Sequence, residues 1–336
     1  KYLDVHKKSL EDIEEYWEQE AKNIDWFKTW DQVLEWNLPF AKWFPGGKLN
    51  ASYLCVDRHV KTDRKNKAAI YWIGEDGEEK TLTYLQLQRE VNKAAAALKA
   101  LGVKDGDRIA FYLPMITELP IMMLACIRLG AIHTIIFSGF SAKALADRIN
   151  DTEAKLVITA DGAFRRGKII ELKGIVDEAC TMAPSVEQVL VVKRTCHDIN
   201  MKEGRDMWYH DKVVKTKEVV DPVPLESTHP MFILYTSGTT GKPKGIVHST
   251  GGYMVYINSV FNKVFPLRED SVYWCNADIG WITGHSFIVY APLMNGASII
   301  MYEGAPDFPT ADRWWEIIEE YKVNVLYTSP TAIRMF

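Results

Sequence analysis

Tyr235-Thr-Ser-Gly-Thr-Thr-Gly-Lys-Pro-Lys-Gly245 follows directly on the apolar run Met231-Phe-Ile-Leu234. Hydroxyls, glycines and two lysines share one short loop behind a strand-like run. Glycines let backbone N–H groups turn toward an anion because no Cβ blocks the approach. Ser and Thr hydroxyls can donate to phosphate oxygens, and Lys244 adds a full positive charge. A loop of this composition suits a polyphosphate. It departs from the Walker A pattern, which needs Gly, four residues, then Gly-Lys-Ser/Thr. Thr236 stands where the first Gly belongs and Pro243 where Ser or Thr belongs.

Outward from this loop the pattern is that of an α/β protein. The runs at 69–73 and 80–83 flank Glu75-Asp-Gly77 and predict a hairpin. Helices are expected at 85–101, 118–129 and 142–149. Strands are expected at 108–113, 131–137, 156–160, 189–193, 231–236, 272–276, 298–302 and 323–328. Short apolar strands alternating with helices imply mostly parallel sheets covered on both faces. Leu129-Gly-Ala131 leading into Ile135-Ile-Phe137 is echoed by Asn295-Gly-Ala297 leading into Ile299-Ile-Met301. Two stacked layers would account for the echo. The polar, Pro-bearing segment 195–230 reads as an excursion between halves at about 65–194 and 231–336.

Residues 1–64 read differently, as an N-terminal helical arm. Ser9 is placed to cap a helix whose apolar side is Leu10, Ile13, Trp17, Ala21 and Ile24. Trp17, Trp26, Trp30, Trp36 and Trp43 crowd this region. A partner-binding surface is one use for them; packing of the arm onto the main body is the favoured one, because large aromatics dominate buried area.

The chain has 336 residues, 47% hydrophobic and 25% charged, with net charge −4. That is ordinary globular composition with no nucleic-acid-binding surface in its charge balance. Five cysteines without a CxxC pair read as reduced thiols in a cytoplasmic protein. No signal peptide and no membrane-length apolar run is visible. The histidines, His133 and His210 among them, have no partner at metal-ligand spacing, so no protein-held metal is expected.

The stretch Tyr235–Gly245 resembles the phosphate loop of the AMP-forming acyl/adenylate ligases. The resemblance implies ATP binding, with Mg²⁺, and attack of a carboxylate on the α-phosphate. It assigns Thr236, Ser237, Gly238, Thr239, Thr240, Gly241 and Lys244 to the ATP phosphates. Ala277-Asp-Ile-Gly-Trp-Ile-Thr-Gly-His-Ser286 resembles the acyl-pocket segment of acetyl-CoA synthetases and puts Trp281, Ile282 and Thr283 around a small acid. Thr236, Lys244 and Thr283 would then serve the chemistry. Ile282 stands where that family commonly has Val, which favours acetate, though one methylene discriminates by only about 1–3 kcal/mol.

Ala160-Asp-Gly-Ala-Phe-Arg-Arg-Gly-Lys168 reads as a basic turn opening a helix, and it resembles the segment that grips the CoA 3′-phosphate. Arg165 and Lys168 occupy the gripping positions, Lys168 in place of a usual Arg. Gly139 matches the glycine under the CoA adenine, beside Ser138 where Gly is usual. Ser329 replaces an Ala near the CoA channel.

The resemblance covers nearly the whole chain. It implies acetate and ATP giving acetyl-AMP and pyrophosphate, then CoA giving acetyl-CoA and AMP. The adenine- and ribose-binding region, an aromatic pocket floor and a hinged C-terminal domain with the adenylation lysine have no counterpart in this sequence. The 336 residues alone are therefore expected to turn over poorly. The competing expectations are an adenylating enzyme that loads a carrier protein and a non-catalytic nucleotide-binding module.

Overall fold

The computed structural model describes residues 2–213, 218–236 and 243–335. Two sheets with helices against them form the body. The large sheet has the order Asp206–Trp208, Gln188–Val192, Leu156–Ala160, Arg108–Tyr112, Ile132–Ile135, Pro230–Thr236, Lys244–Ser249. Its neighbours are parallel except the last pair, which is antiparallel. The small sheet runs Val325–Tyr327, Val272–Cys275, Ser298–Tyr302, Ala68–Ile73, Glu79–Thr83, antiparallel only at the final hairpin.

The sheets do not divide along the sequence halves. The early hairpin Ala68–Ile73/Glu79–Thr83 joins the late strands of the small sheet, while Pro230–Thr236 returns to the early strands of the large one. Parallel pairing allows this, because each strand already needs a crossover to reach its neighbour.

Burial explains the strand patterns. Leu156–Ala160 and Ser298–Tyr302 are buried along their whole length, as parallel strands covered on both faces must be. In the small sheet alternate residues serve two cores. Ile299 and Met301 face the main core, while Ile300 and Tyr302 join Ile73, Trp274, Trp314 and Ile317 on the other side. Helix Tyr84–Ala100 begins in a capping box between Thr83 and Gln86 and buries Leu87, Val91, Ala94 and Leu98.

The internal echo has a structural basis. Helices Glu118–Arg128 and Ala291–Met294 end alike, at Gly130 (φ 81°) and Gly296 (φ 71°). Ala131 N–H donates to the Cys126 carbonyl at 2.9 Å, and Ala297 N–H to that of Pro292 at 3.0 Å. Each is a left-handed helix stop feeding a buried strand, one in each sheet.

The arm departs from the sequence reading at its start. Ser9 lies inside a first helix, Tyr2–Glu11, with its hydroxyl on the His6 carbonyl. Asp12 caps a second helix, Ile13–Ala21, by accepting from Glu15 N–H at 2.9 Å. A carboxylate is the better helix-start residue here, and Leu10 and Ile13 are left exposed. Trp17, Trp26, Trp30 and Trp43 pack against the main core, and Trp36 is exposed on the hairpin Leu34–Asn37/Phe40–Trp43.

Candidate active-site cleft

The carboxyl ends of both sheets open into one cleft of about 720 Å³. Ligands in open α/β sheets bind at such strand ends. From the large sheet come Tyr112, the loop Phe137-Ser-Gly-Phe140 and the segment around Arg165. From the small sheet come Asn276–Asp278, Trp281, Glu303 and Ser329. Phe137 and Phe140 lie 6.1 and 6.3 Å from the Trp281 ring, forming an aromatic wall. A Cβ at Gly139 would stand 2.4 Å from the Phe137 ring, so any larger residue there would displace that ring of the wall.

The segment 160–168 is not a turn opening a helix. Gly162–Arg165 and Lys168–Glu171 form an antiparallel hairpin, with Arg165 opposite Lys168. Arg166 and Gly167 both have positive φ, 52° and 71°, which is the two-residue turn that matches strand twist. The helix starts only at Leu172. The hairpin crosses to the small sheet. Gly167 N–H donates to Glu75 at 2.9 Å and Arg166 pairs with Asp307 at 2.8 Å. Arg165 reaches the cleft, whereas Lys168 is exposed on the other strand and does not line it.

The phosphate-loop residues fall at the edge of the large sheet. Thr236 and Lys244 are the last register pair of the antiparallel strands. Both are exposed. Ser237, Gly238, Thr239, Thr240 and Gly241 lie outside the described residues. The strand end is anchored by Tyr235, whose hydroxyl donates to Asp151 at 2.6 Å. The Arg148 guanidinium lies 5.3 Å from the Tyr235 ring and 4.7 Å from that of Phe140, joining this edge to the cleft wall.

Of the acyl-pocket residues, Trp281 lines the cleft, while Ile282 and Thr283 form the first turn of a short helix outside its lining. Ser329 lines it, and its hydroxyl accepts from Ala332 N–H at 3.1 Å. His133 is buried beneath the site, stacked on Phe232 with 5.5 Å between centroids and its Nε2 2.5 Å from the Tyr290 hydroxyl. Burial holds the imidazoles of His133 and His285 well below the usual histidine range, at about 4 for His285. Both are neutral core groups.

Sequence reading passed over three charged groups. Asp278 sits in the cleft with its Oδ1 accepting from Gly280 N–H at 2.6 Å. Glu303 follows the strand Ser298–Tyr302 and accepts from Arg194 at 2.7 Å, and its Oε1 has no partner among the described residues. Arg194 also bonds Asp76 at 2.7 Å and Glu78 at 3.2 Å, and lies 4.7 Å from the Phe164 ring. It joins the end of a large-sheet strand to two segments of the small sheet. The strand-end rule marks Glu303 as a candidate, but nothing local in sequence marks Arg194.

The family model of AMP-binding enzymes matches residues 56–336, and that of the acetyl-coenzyme A synthetase N-terminus matches residues 2–55. Acetyl-coenzyme A synthetase of Pyrobaculum arsenaticum is 56% identical over 347 residues, covering 100% of this chain and 52% of its own. The enzyme of that name from Methanothrix thermoacetophila is 57% identical over 324 residues, covering 96% and 49%. That of Chlorobaculum tepidum is 52% identical over 335 residues, covering 100% and 51%. The chain thus spans about half the length of the curated relatives it matches. Among the described residues no helix is long and apolar enough to cross a membrane.

Proposed function

The chain belongs to the AMP-binding enzyme family, and from that premise we propose that the full-length protein is an acid–thiol ligase for acetate or another short-chain acid. It joins the acid to AMP from ATP, releasing pyrophosphate, and then transfers the acyl group to CoA. The observation that carries this reading is the shared cleft. One site brings Gly139 and Arg165 to the same space as the aromatic wall Phe137–Trp281. An anion-gripping guanidinium and a small apolar wall are what a CoA phosphate and a short acyl group require.

In this reading Thr236 and Lys244 close the neck of the phosphate loop, and Lys244 supplies positive charge where phosphate charge grows. Mg²⁺ bound with ATP would neutralise charge on the phosphate oxygens. On this reading the protein contributes hydrogen-bond donors and the Lys244 charge. Trp281 walls the acyl end, and Arg165 holds the CoA end. All five cysteines are unpaired, which supports a reducing, cytoplasmic setting.

The test is acetate-dependent ATP–pyrophosphate exchange by the full-length protein, followed by CoA-dependent release of AMP. Lys244→Ala should weaken Mg–ATP by roughly 10- to 100-fold, the scale of one lost bond to a charged group. Exchange without CoA-dependent turnover would overturn the thiol half of the proposal, and absence of exchange would overturn all of it.

A further inference from the structure

Attack by a thiol on an acyl-adenylate needs the thiolate, and an ordinary thiol, with pKa about 8.5, is mostly protonated at neutral pH. A base in the cleft would remove that proton. Among the described residues no histidine lines the cleft. Its charged and titratable groups are Arg165 from the hairpin, Tyr112 from the large sheet, Cys275 and Asp278 from one strand end, and Tyr302 and Glu303 from another. Burial pushes the Tyr112 hydroxyl and the Cys275 thiol up to about 12, and raises Tyr302 as well, so none of these three is a base near pH 7. Glu303 is pushed up to about 8 by burial and is held by Arg194, so near pH 7 it carries a proton.

Asp278 differs. It closes the turn that carries Trp281, with Trp281 N–H on its carbonyl at 3.2 Å. Only Oδ1 is engaged, by Gly280 N–H, among the described residues. It lines the same cleft as Arg165, at the proposed CoA end, and Trp281, in the acyl wall. Resting on the function proposed above, we propose that Asp278 is the base for the acyl-transfer step. The carboxylate takes the S–H proton as sulfur bonds to the acyl carbonyl carbon. The tetrahedral intermediate collapses, the carbon–oxygen bond to phosphate breaks, and AMP leaves as its phosphate. Asp278 then returns the proton to solvent. Burial raises its carboxyl to about 6, opposed by the Gly280 bond and the Arg165 charge. That value leaves it ionised at neutral pH while bringing it closer to the thiol.

The experiment is single-turnover transfer from synthetic acetyl-adenylate to CoA by the full-length protein, from pH 5.5 to 9. Wild type should rise through about pH 6 and then level off. Asp278→Asn keeps the Gly280 bond but cannot accept the proton. Its rate should fall by roughly 100-fold or more at pH 7. It should then climb about tenfold per pH unit toward the thiol's own pKa of about 8.5. Asp278→Glu should recover part of the rate with a plateau restored. A D278N variant with the wild-type profile would overturn the proposal. So would a loss by the same factor at every pH, which is the mark of a turn-closing or folding role. Wild-type protein that fails to convert acetyl-adenylate and CoA would instead overturn the proposed function itself.

Discussion

Glu303 shows how burial and an ion pair compete at a single residue. Arg194 donates to it at 2.7 Å, yet burial outweighs that bond and lifts the carboxyl from 4.5 to about 8. A raised carboxyl means that the folded state keeps a proton which the unfolded state has lost between about pH 4.5 and 8. Stability therefore falls as pH rises through that window. Glu303→Gln stays neutral and retains an acceptor for Arg194. Its stability relative to wild type should grow from pH 5 to pH 8.5, by on the order of a few kcal/mol. Urea midpoints of the two proteins at four pH values would check this, and a constant difference would count against it. At this scale the phosphate-loop and Trp281 motifs were legible because their residue types are unusual together. Arg194 was not, since its role depends on three carboxylates far away in sequence.

At the scale of elements, the hairpin Gly162–Arg165/Lys168–Glu171 decides which basic residue reaches the cleft. Arg165, at the end of the first strand, lines the cleft, while Lys168, directly opposite on the second, is exposed and does not. Gly167 makes the turn at φ 71°, and a Cβ there would stand 3.0 Å from the Phe308 ring. Gly167→Ala should cost about 1 kcal/mol or more, lowering the melting temperature and weakening CoA binding several-fold by calorimetry. Unchanged values for both would mean that the hairpin tip does not set the grip. The sequence reading missed the hairpin because Arg-Gly is a weaker turn signal than Asn-Gly, and the apolar helix beginning at Leu172 drew the boundary forward. The arm's helix break at Asp12 was missed because the apolar spacing runs unbroken across it.

At the scale of the molecule, the cleft exists because two sheets are held with their carboxyl ends together. Arg194 is the buried strut, with its side chain 6% exposed and Glu303's 2%. Removing one partner of a buried pair leaves an unpaired charge and costs about 3–5 kcal/mol. Arg194→Met removes the charge that favours ionised Glu303, so its cost should be larger at pH 8.5, where wild-type Glu303 is ionised. The loss should be smaller at pH 6, where Glu303 takes up a proton and the penalty lapses. Denaturant unfolding at both pH values measures it, and an equal loss at both would show that Asp76 and Glu78, rather than Glu303, carry the coupling.

By itself the sequence determined the layered α/β class, the central strands of both sheets, and the motifs around Tyr235 and Trp281. Periodicity of burial, glycine-bearing turns and loop chemistry are local properties, so a local reading recovers them. Only the tertiary structure decided which strands share a sheet, since parallel pairing joins segments some two hundred residues apart with no local mark. It alone brought Asp278, Glu303 and Arg165 to one cleft, and it alone set the charge states of Asp278 and Glu303. Desolvation and the distance to an opposite charge are properties of the folded neighbourhood and not of any stretch of chain.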